Sequence, residues 1–108
     1  MYKKGTVVLV PFPFTDLSGT KVRPAIIISK RLSGGDVVVL FITSQLKKSS
    51  FGMVSIKPTK ENGLKTASRV VCDKLATLDT KVVLGELGVV STTDQNKIDN
   101  KLRQVLGL

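Results

Sequence analysis

Short runs of β-branched and aliphatic residues dominate the chain as far as residue 84. They predict strands over residues 5–10, 25–29, 37–43, 52–56 and 69–78, with a short sixth element over 81–84. Turn-forming segments such as Ser33-Gly34-Gly35-Asp36 separate these runs. The runs are almost continuously apolar, so both faces of the sheet should be covered, as in a small barrel or a packed sheet.

The segment after residue 90 changes to a helical period. Ser91-Thr92-Thr93-Asp94-Gln95 offers an N-cap, with Thr92 and Gln95 at the spacing of a capping box. One apolar stripe follows, made of Ile98, Leu102, Val105 and Leu106. The chain is therefore predicted to be five or six strands followed by an amphipathic α-helix that covers one side of the barrel.

Length and composition indicate a single globular domain. Its 108 residues fit a single domain over 1–108. One cysteine forms no internal disulfide, which indicates a reducing compartment such as the cytoplasm. No signal sequence and no apolar run of about 20 residues is visible, so no membrane partner is expected.

The absence of histidine limits the possible chemistry. It excludes a Ser-His-Asp triad, a Cys-His dyad and a pair of catalytic imidazoles. A soft-metal site would have only Cys72 and carboxylates, and Cys72 reads as a small core residue inside an apolar strand. We therefore expect neither a metal site nor a cofactor.

Positive charge is concentrated in the first part of the chain. The net charge is +9, with 17 Lys and Arg against 8 Asp and Glu. Residues 1–70 hold 12 basic and 3 acidic side chains, whereas residues 71–108 hold 5 of each. Such a surface attracts polyanions, although simple solubility would also account for it.

Two residues at predicted strand ends are candidates for phosphate chemistry. Arg23 precedes Pro24, which favours an extended backbone, and its planar guanidinium suits bidentate phosphate contacts. Thr43 ends the third strand, where its hydroxyl can meet a ligand. A surface arginine and ordinary strand propensity are the alternatives.

The roles of three other candidate residues remain open. Asp73 can be a general base, an acceptor for a base edge, or the partner of Arg69 in an ion pair. Phe12 and Phe14 lie in a long loop over residues 11–22 and can stack on bases or pack on the core.

Taken in order, the stretches GTVVLVPFPFTDLSGTKVRPAIIIS, FITSQLKK and SRVVCDKLATLD, then a closing helix ending VLGL, resemble the MazF/PemK toxins of type II toxin–antitoxin systems. The resemblance runs from Gly5 to Leu108. It implies an SH3-like barrel with a C-terminal helix and a symmetric homodimer. It also implies a growth-inhibiting endoribonuclease that cuts single-stranded mRNA at short motifs and is neutralised by an antitoxin with an acidic tail.

The resemblance also implies a reaction and its residues. The family's catalytic arginine and threonine fall on Arg23 and Thr43, and metal-independent attack by the RNA 2′-OH would leave a 2′,3′-cyclic phosphate and a 5′-hydroxyl. Asp73 or a water is the candidate base. The RNA contacts expected from the family positions and the basic loops are Phe14, Ser18, Thr20, Lys21, Ser44, Gln45, Lys47, Lys48, Arg69, Asp73 and Lys74.

The chain departs from some family members. Ser18-Gly19-Thr20 has no histidine, Val71 stands where those members have an arginine, and Ala76 stands where others have one. These departures argue against a version of the mechanism assisted by histidine or a second arginine, and they leave the Arg23–Thr43 version open.

Two other functions compete. CcdB-type toxins of related architecture bind DNA gyrase and need no reactive loop residues, so Arg23 and Thr43 argue against that reading. A non-catalytic RNA-binding barrel needs only positive charge and loops.

Overall fold

A computed structural model describes residues 2–12, 21–30, 32, 34–46 and 50–108. Its six strands are β1 (Thr6–Phe12), β2 (Lys21–Ile27), β3 (Asp36–Thr43), β4 (Met53–Ile56), β5 (Ser68–Asp79) and β6 (Gly85–Val89), followed by the helix α1 (Thr92–Leu106). The strands form one antiparallel sheet in the order β4-β5-β3-β2-β1-β6. The sheet curls into a half-barrel, so the predicted β class with a C-terminal helix is confirmed.

Both faces of the sheet are buried, as the apolar runs predict. Val7 and Ile26 belong to a cluster that includes Ile98 of α1. Their neighbours Val8 and Ile27 belong to a second cluster on the opposite face. Alternate residues of one strand point to opposite faces, so a strand buried on both sides needs an unbroken apolar run.

The helix begins and ends at specific caps. The Ser91 hydroxyl accepts the Asp94 N–H at 3.1 Å, and Gly107 ends the helix in the left-handed conformation at φ 73°. Thr92 is the first helical residue, so the capping box predicted for Thr92 and Gln95 is wrong. Ile98, which is fully buried, packs on the sheet with Leu102 and Val105, as predicted. Leu106 is 50% exposed, so its predicted place in the packed stripe is wrong.

Strand boundaries differ from the predictions near the prolines. β1 continues through Pro11 to Phe12, and β2 begins at Lys21 rather than Ala25. Pairing of β1 with β6 ends at Leu9, so Pro11 lies where β1 has become an edge strand, a position that tolerates proline. The sixth element was predicted too early: residues 80–82 form a short 3₁₀ turn, and β6 follows it.

A wide bulge interrupts the pairing of β3 with β5. Leu40 pairs with Leu75, but its neighbour Phe41 pairs with Val71, so residues 72–74 lie between the two paired segments. The Cys72 N–H donates to the Gly52 carbonyl at 2.7 Å, which anchors the bulge to β4's start. A bulge changes the direction of the side chains within it, so residues 72–74 do not follow the regular alternation of the strand.

Cys72 belongs to the core. Its side chain is buried, and burial raises the pKa of the Cys72 thiol from 9.0 to about 11. Nearby Lys101 opposes this shift and Asp73 adds to it. The thiol therefore stays protonated at neutral pH and does not act as a nucleophile.

The connection between β4 and β5 lies against β6. The Val89 N–H donates to the Glu61 carbonyl at 2.8 Å. Gly63 and Gly88 permit this approach, because a Cβ at Gly63 would overlap the Leu87 carbonyl oxygen and one at Gly88 would overlap the Glu61 carbonyl oxygen. The connection thus links the two edges of the sheet.

Candidate functional site

Arg23 and Thr43 lie at the same end of the β2–β3 pair. The pairing of these strands ends at Ala25 and Phe41, and Arg23 and Thr43 each lie two residues beyond that last pair. Arg23 also pairs with Val10, whose side chain lies on the face away from α1. Directly opposed residues of antiparallel strands share a face, and so do residues two positions apart on one strand. Arg23 and Thr43 therefore lie on the face away from α1.

These residues border a cavity of about 390 Å³, which we call the Thr43 cavity. The start of β2, the end of β3 and the β5 bulge meet here. Its charged and polar lining comprises Arg23, Thr43, Gln45, Ser50, Asp73 and Lys74, and its apolar lining comprises Phe41, Ile42, Met53 and Val71. The structure therefore brings together five of the predicted site residues.

The Thr43 hydroxyl is oriented by the turn that follows it. The Gln45 N–H donates to Thr43 Oγ1 at 3.1 Å. A hydroxyl has one hydrogen and two lone pairs, so accepting this bond leaves the O–H available to donate to a phosphate oxygen. Thr43 thus has a defined direction at the mouth of the cavity.

Charge in the cavity is mixed. Arg23 and Lys74 are cations, and Asp73 is the one carboxylate among the described residues that line it. Asp73 lies against Gly52, where an added Cβ would come within 2.9 Å of the Asp73 Cγ. This arrangement offers two cations for phosphate and a carboxylate for a proton or a base edge.

Arg23 also lines a second cavity of about 320 Å³, which we call the Leu64 cavity. Its other lining residues are Leu9, Pro24, Ile42, Ser44, Gly63, Leu64, Lys65, Thr66, Ser68 and Leu87. Ser44 therefore borders this cavity and not the one that contains Thr43 and Gln45. Arg23 is the charged residue common to both.

The remaining predicted contacts are scattered. Arg69 pairs with Thr43 on the same face and is half-buried, but it does not line either cavity. Lys21 is exposed at the start of β2 and lines neither cavity. Phe14, Ser18, Thr20, Lys47 and Lys48 lie outside the described residues.

Sequence reasoning missed the wall of the Leu64 cavity. That wall is held by Asn62, whose side chain is 1% exposed. Its Oδ1 accepts the N–H groups of Thr59 at 3.0 Å and Leu64 at 2.9 Å, and its Nδ2 donates to the Lys57 carbonyl at 2.9 Å. The dipeptide Asn62-Gly63 is a strong turn signal and was the clue available in the sequence.

The described residues hold neither a metal-binding cluster nor a membrane-spanning helix. Among them, no group of three or more His, Cys, Asp and Glu side chains is arranged to hold a metal ion. Within the same residues, no helix is long and apolar enough to cross a membrane.

Comparison with known proteins gives a family and a fold. The family described as "PemK-like, MazF-like toxin of type II toxin-antitoxin system" matches residues 3–106. No curated protein matches the chain significantly. Among solved structures, an endoribonuclease from a mycobacterial species, in complex with its cognate antitoxin, is 25% identical. Its TM-score is 0.79, and the match covers all of this chain and 97% of the other.

Two more structures share the fold at lower identity. MazF from Deinococcus radiodurans is 20% identical with a TM-score of 0.78, over 99% of this chain and 97% of that one. The Mycobacterium tuberculosis toxin MazF-mt6 is 18% identical with a TM-score of 0.76, over 95% and 97%. At this identity they establish the fold alone.

Proposed function

Because the chain belongs to the PemK-like, MazF-like toxin family of type II toxin–antitoxin systems, we propose that it is an endoribonuclease toxin. It cuts single-stranded mRNA at short sequence motifs, inhibits growth, and is neutralised by a cognate antitoxin. The mycobacterial relative of 25% identity is itself an endoribonuclease bound to its antitoxin, which supports this assignment.

The lining of the Thr43 cavity supports particular residues as the catalytic ones. Arg23 and Thr43 lie 20 positions apart in sequence, yet both line one cavity with Asp73, Lys74 and Gln45. A cation, an oriented hydroxyl and a carboxylate in one cavity suit transfer at a phosphodiester.

The reaction is a transesterification that needs no metal ion. The 2′-oxygen of the RNA forms a bond to the adjacent phosphorus, and the bond from phosphorus to the 5′-oxygen breaks. The 2′-OH proton goes to a base, and the leaving 5′-oxygen takes a proton from solvent water. The products are a 2′,3′-cyclic phosphate and a 5′-hydroxyl, so the substrate must be RNA.

Each side chain has one task in this reaction. Arg23 stabilises the negative charge that builds on the phosphoryl oxygens, because its guanidinium is planar and permanently charged. Thr43 donates its O–H to a phosphate oxygen while Gln45 N–H holds its Oγ1. Asp73 accepts the 2′-OH proton, since it supplies the carboxylate among the described lining residues.

The partners follow from the same assignment. The working unit is a homodimer, and its basic surface attracts both RNA and the acidic tail of an antitoxin. An mRNA substrate and an antitoxin partner support a cytoplasmic location.

Cleavage of a long single-stranded RNA by the purified protein in chelator tests this function. We expect cuts at a short motif, with 2′,3′-cyclic phosphate and 5′-hydroxyl ends by end-sequencing. The same RNA with 2′-deoxy residues at the cut sites should remain intact. Cutting that appears only after Mg²⁺ is added would overturn the metal-free mechanism, and an intact RNA under all conditions would overturn the nuclease assignment.

Asp73→Asn is expected to lower kcat by about a hundredfold or more, because the amide cannot accept the proton. The variant keeps the shape of the side chain, so its melting temperature should stay close to that of the native protein. Asp36→Asn, at the exposed start of β3, is the matched control and should cleave normally. An Asp73→Asn protein with unchanged kcat but a shifted cut motif would show that Asp73 reads a base instead.

A further inference from the structure

We propose that the Leu64 cavity binds the base of the nucleotide next to the scissile phosphate and helps to set the cut motif. This inference rests on the proposed endoribonuclease function, because it takes the scissile phosphate to lie at Arg23. It adds a base-binding site to the residues of the Thr43 cavity.

Arg23 gives the geometric reason. Arg23 lines both cavities, so a phosphate bound at Arg23 lies next to each of them. Phosphate contacts fix the position of a strand, whereas base contacts specify its sequence. Single-stranded RNA is recognised through unstacked bases that enter pockets of this kind. A nucleotide next to this phosphate can therefore place its base in the Leu64 cavity.

The lining of the Leu64 cavity fits a nucleobase. Leu9, Ile42, Leu64 and Leu87 offer aliphatic surface for the flat faces of a base. Hydroxyls line it as well, from residues including Thr66, and these can pair with the base edge. The volume of about 320 Å³ is near the lower limit of ordinary ligand pockets, which suits one base.

Charge favours a nucleotide over an uncharged ligand. Arg23 and Lys65 are the charged side chains among the described residues that line this cavity, and both are cations. An apolar cavity with two cations and no described carboxylate matches a group that is apolar and attached to phosphates.

The wall of the cavity is formed before any ligand binds. Asn62 accepts the Leu64 N–H at 2.9 Å, and Gly63 packs against the Leu87 carbonyl. A wall held by hydrogen bonds and backbone contact loses little conformational freedom when a base enters, so binding carries a small entropic cost.

Thr66→Trp tests the proposal by filling the cavity. Thr66 is exposed, and its backbone carbonyl, which the substitution keeps, accepts the Ser68 hydroxyl at 3.0 Å. We expect the variant to cut RNA still, but with the base preference lost at one position beside the cut. On the native motif, kcat/KM should fall about tenfold or more. Thr93→Trp, exposed in the first turn of α1 and lining neither cavity, should retain the native motif and rate.

Binding of abasic RNA provides a measurement that does not depend on cleavage. The probe is the native cut motif with a 2′-deoxy residue at the cut site and one nucleotide at a time made abasic. The native protein should lose about tenfold in affinity when the base beside the cut is removed, and Thr66→Trp should lose nothing further.

The outcomes separate the two proposals. If the native protein leaves RNA intact, the endoribonuclease assignment fails. If it cuts RNA but Thr66→Trp keeps the same motif and the same abasic losses, only the base-binding site fails. A Thr66→Trp protein that keeps its motif but no longer binds an acidic antitoxin peptide would also overturn the base site, in favour of a peptide site.

Discussion

Replacement of Arg23 by alanine is expected to lower RNA cleavage by at least about a thousandfold while the protein remains folded. Removing one preorganised donor from a charge-stabilising site typically costs about 10²–10³ in rate, and Arg23 supplies a full charge and several N–H donors. Arg23 is half-buried at the end of the sheet, where truncation costs little packing. The melting temperature should change by no more than about 4 °C. Single-turnover cleavage of the native motif, with a thermal melt, measures both.

Two variants make the result specific to Arg23. Arg23→Lys keeps the charge but loses the planar fork, so its rate should fall between those of the native protein and the alanine variant. Arg103→Ala removes an exposed arginine of α1, which bonds Asn100 at 2.8 Å, and should leave cleavage unchanged. A folded Arg23→Ala protein that cuts within tenfold of the native rate would remove Arg23 from the mechanism.

Replacement of Gly88 by alanine is expected to destabilise the fold by about 3 kcal/mol. An added Cβ would overlap the Glu61 carbonyl oxygen and lie 2.8 Å from the Asn62 carbonyl carbon. Both are backbone atoms, and the Asn62 side chain holds that backbone through buried hydrogen bonds. The conflict cannot be relieved by rotating a side chain, so the β4–β5 connection must move away from β6.

Gly85→Ala is the matched control on the same strand. No described atom lies within 4 Å of a Cβ built at Gly85, so the substitution should be neutral or stabilise slightly through the unfolded state. Thermal melts should show Gly88→Ala roughly 10 °C or more below the native protein and Gly85→Ala near it. Equal melting temperatures for the two variants would contradict the close backbone contact.

The wall of the Leu64 cavity links this stability prediction to function. Gly63 lies in the connection that Gly88 approaches, and it is followed directly by lining residues Leu64 and Lys65. A displaced connection should therefore alter base preference as well as stability.

Short patterns in the sequence predicted much of the fold. Unbroken apolar runs indicated strands buried on both faces, and the spacing from Ile98 to Leu106 indicated a helix with one apolar stripe. The failures were local to the prolines, to the N-cap of α1 and to β6, whose sequence GELGV is only weakly apolar. Strand pairing at Pro11 and Pro24 depends on which neighbour lies beside each, and a single chain segment carries no information about its neighbours.

The sequence by itself determined the kinds of element, the positive charge and the residue types available for catalysis without histidine. Tertiary structure decided which of them meet. The pairing of β2 with β3 brings Arg23 and Thr43 to one cavity, and the β5 bulge adds Asp73 to it. Contact between Gly63 and β6 forms part of the wall of the Leu64 cavity. Periodicity reflects burial along one segment, whereas register, bulges and backbone contact are set by pairing between distant segments.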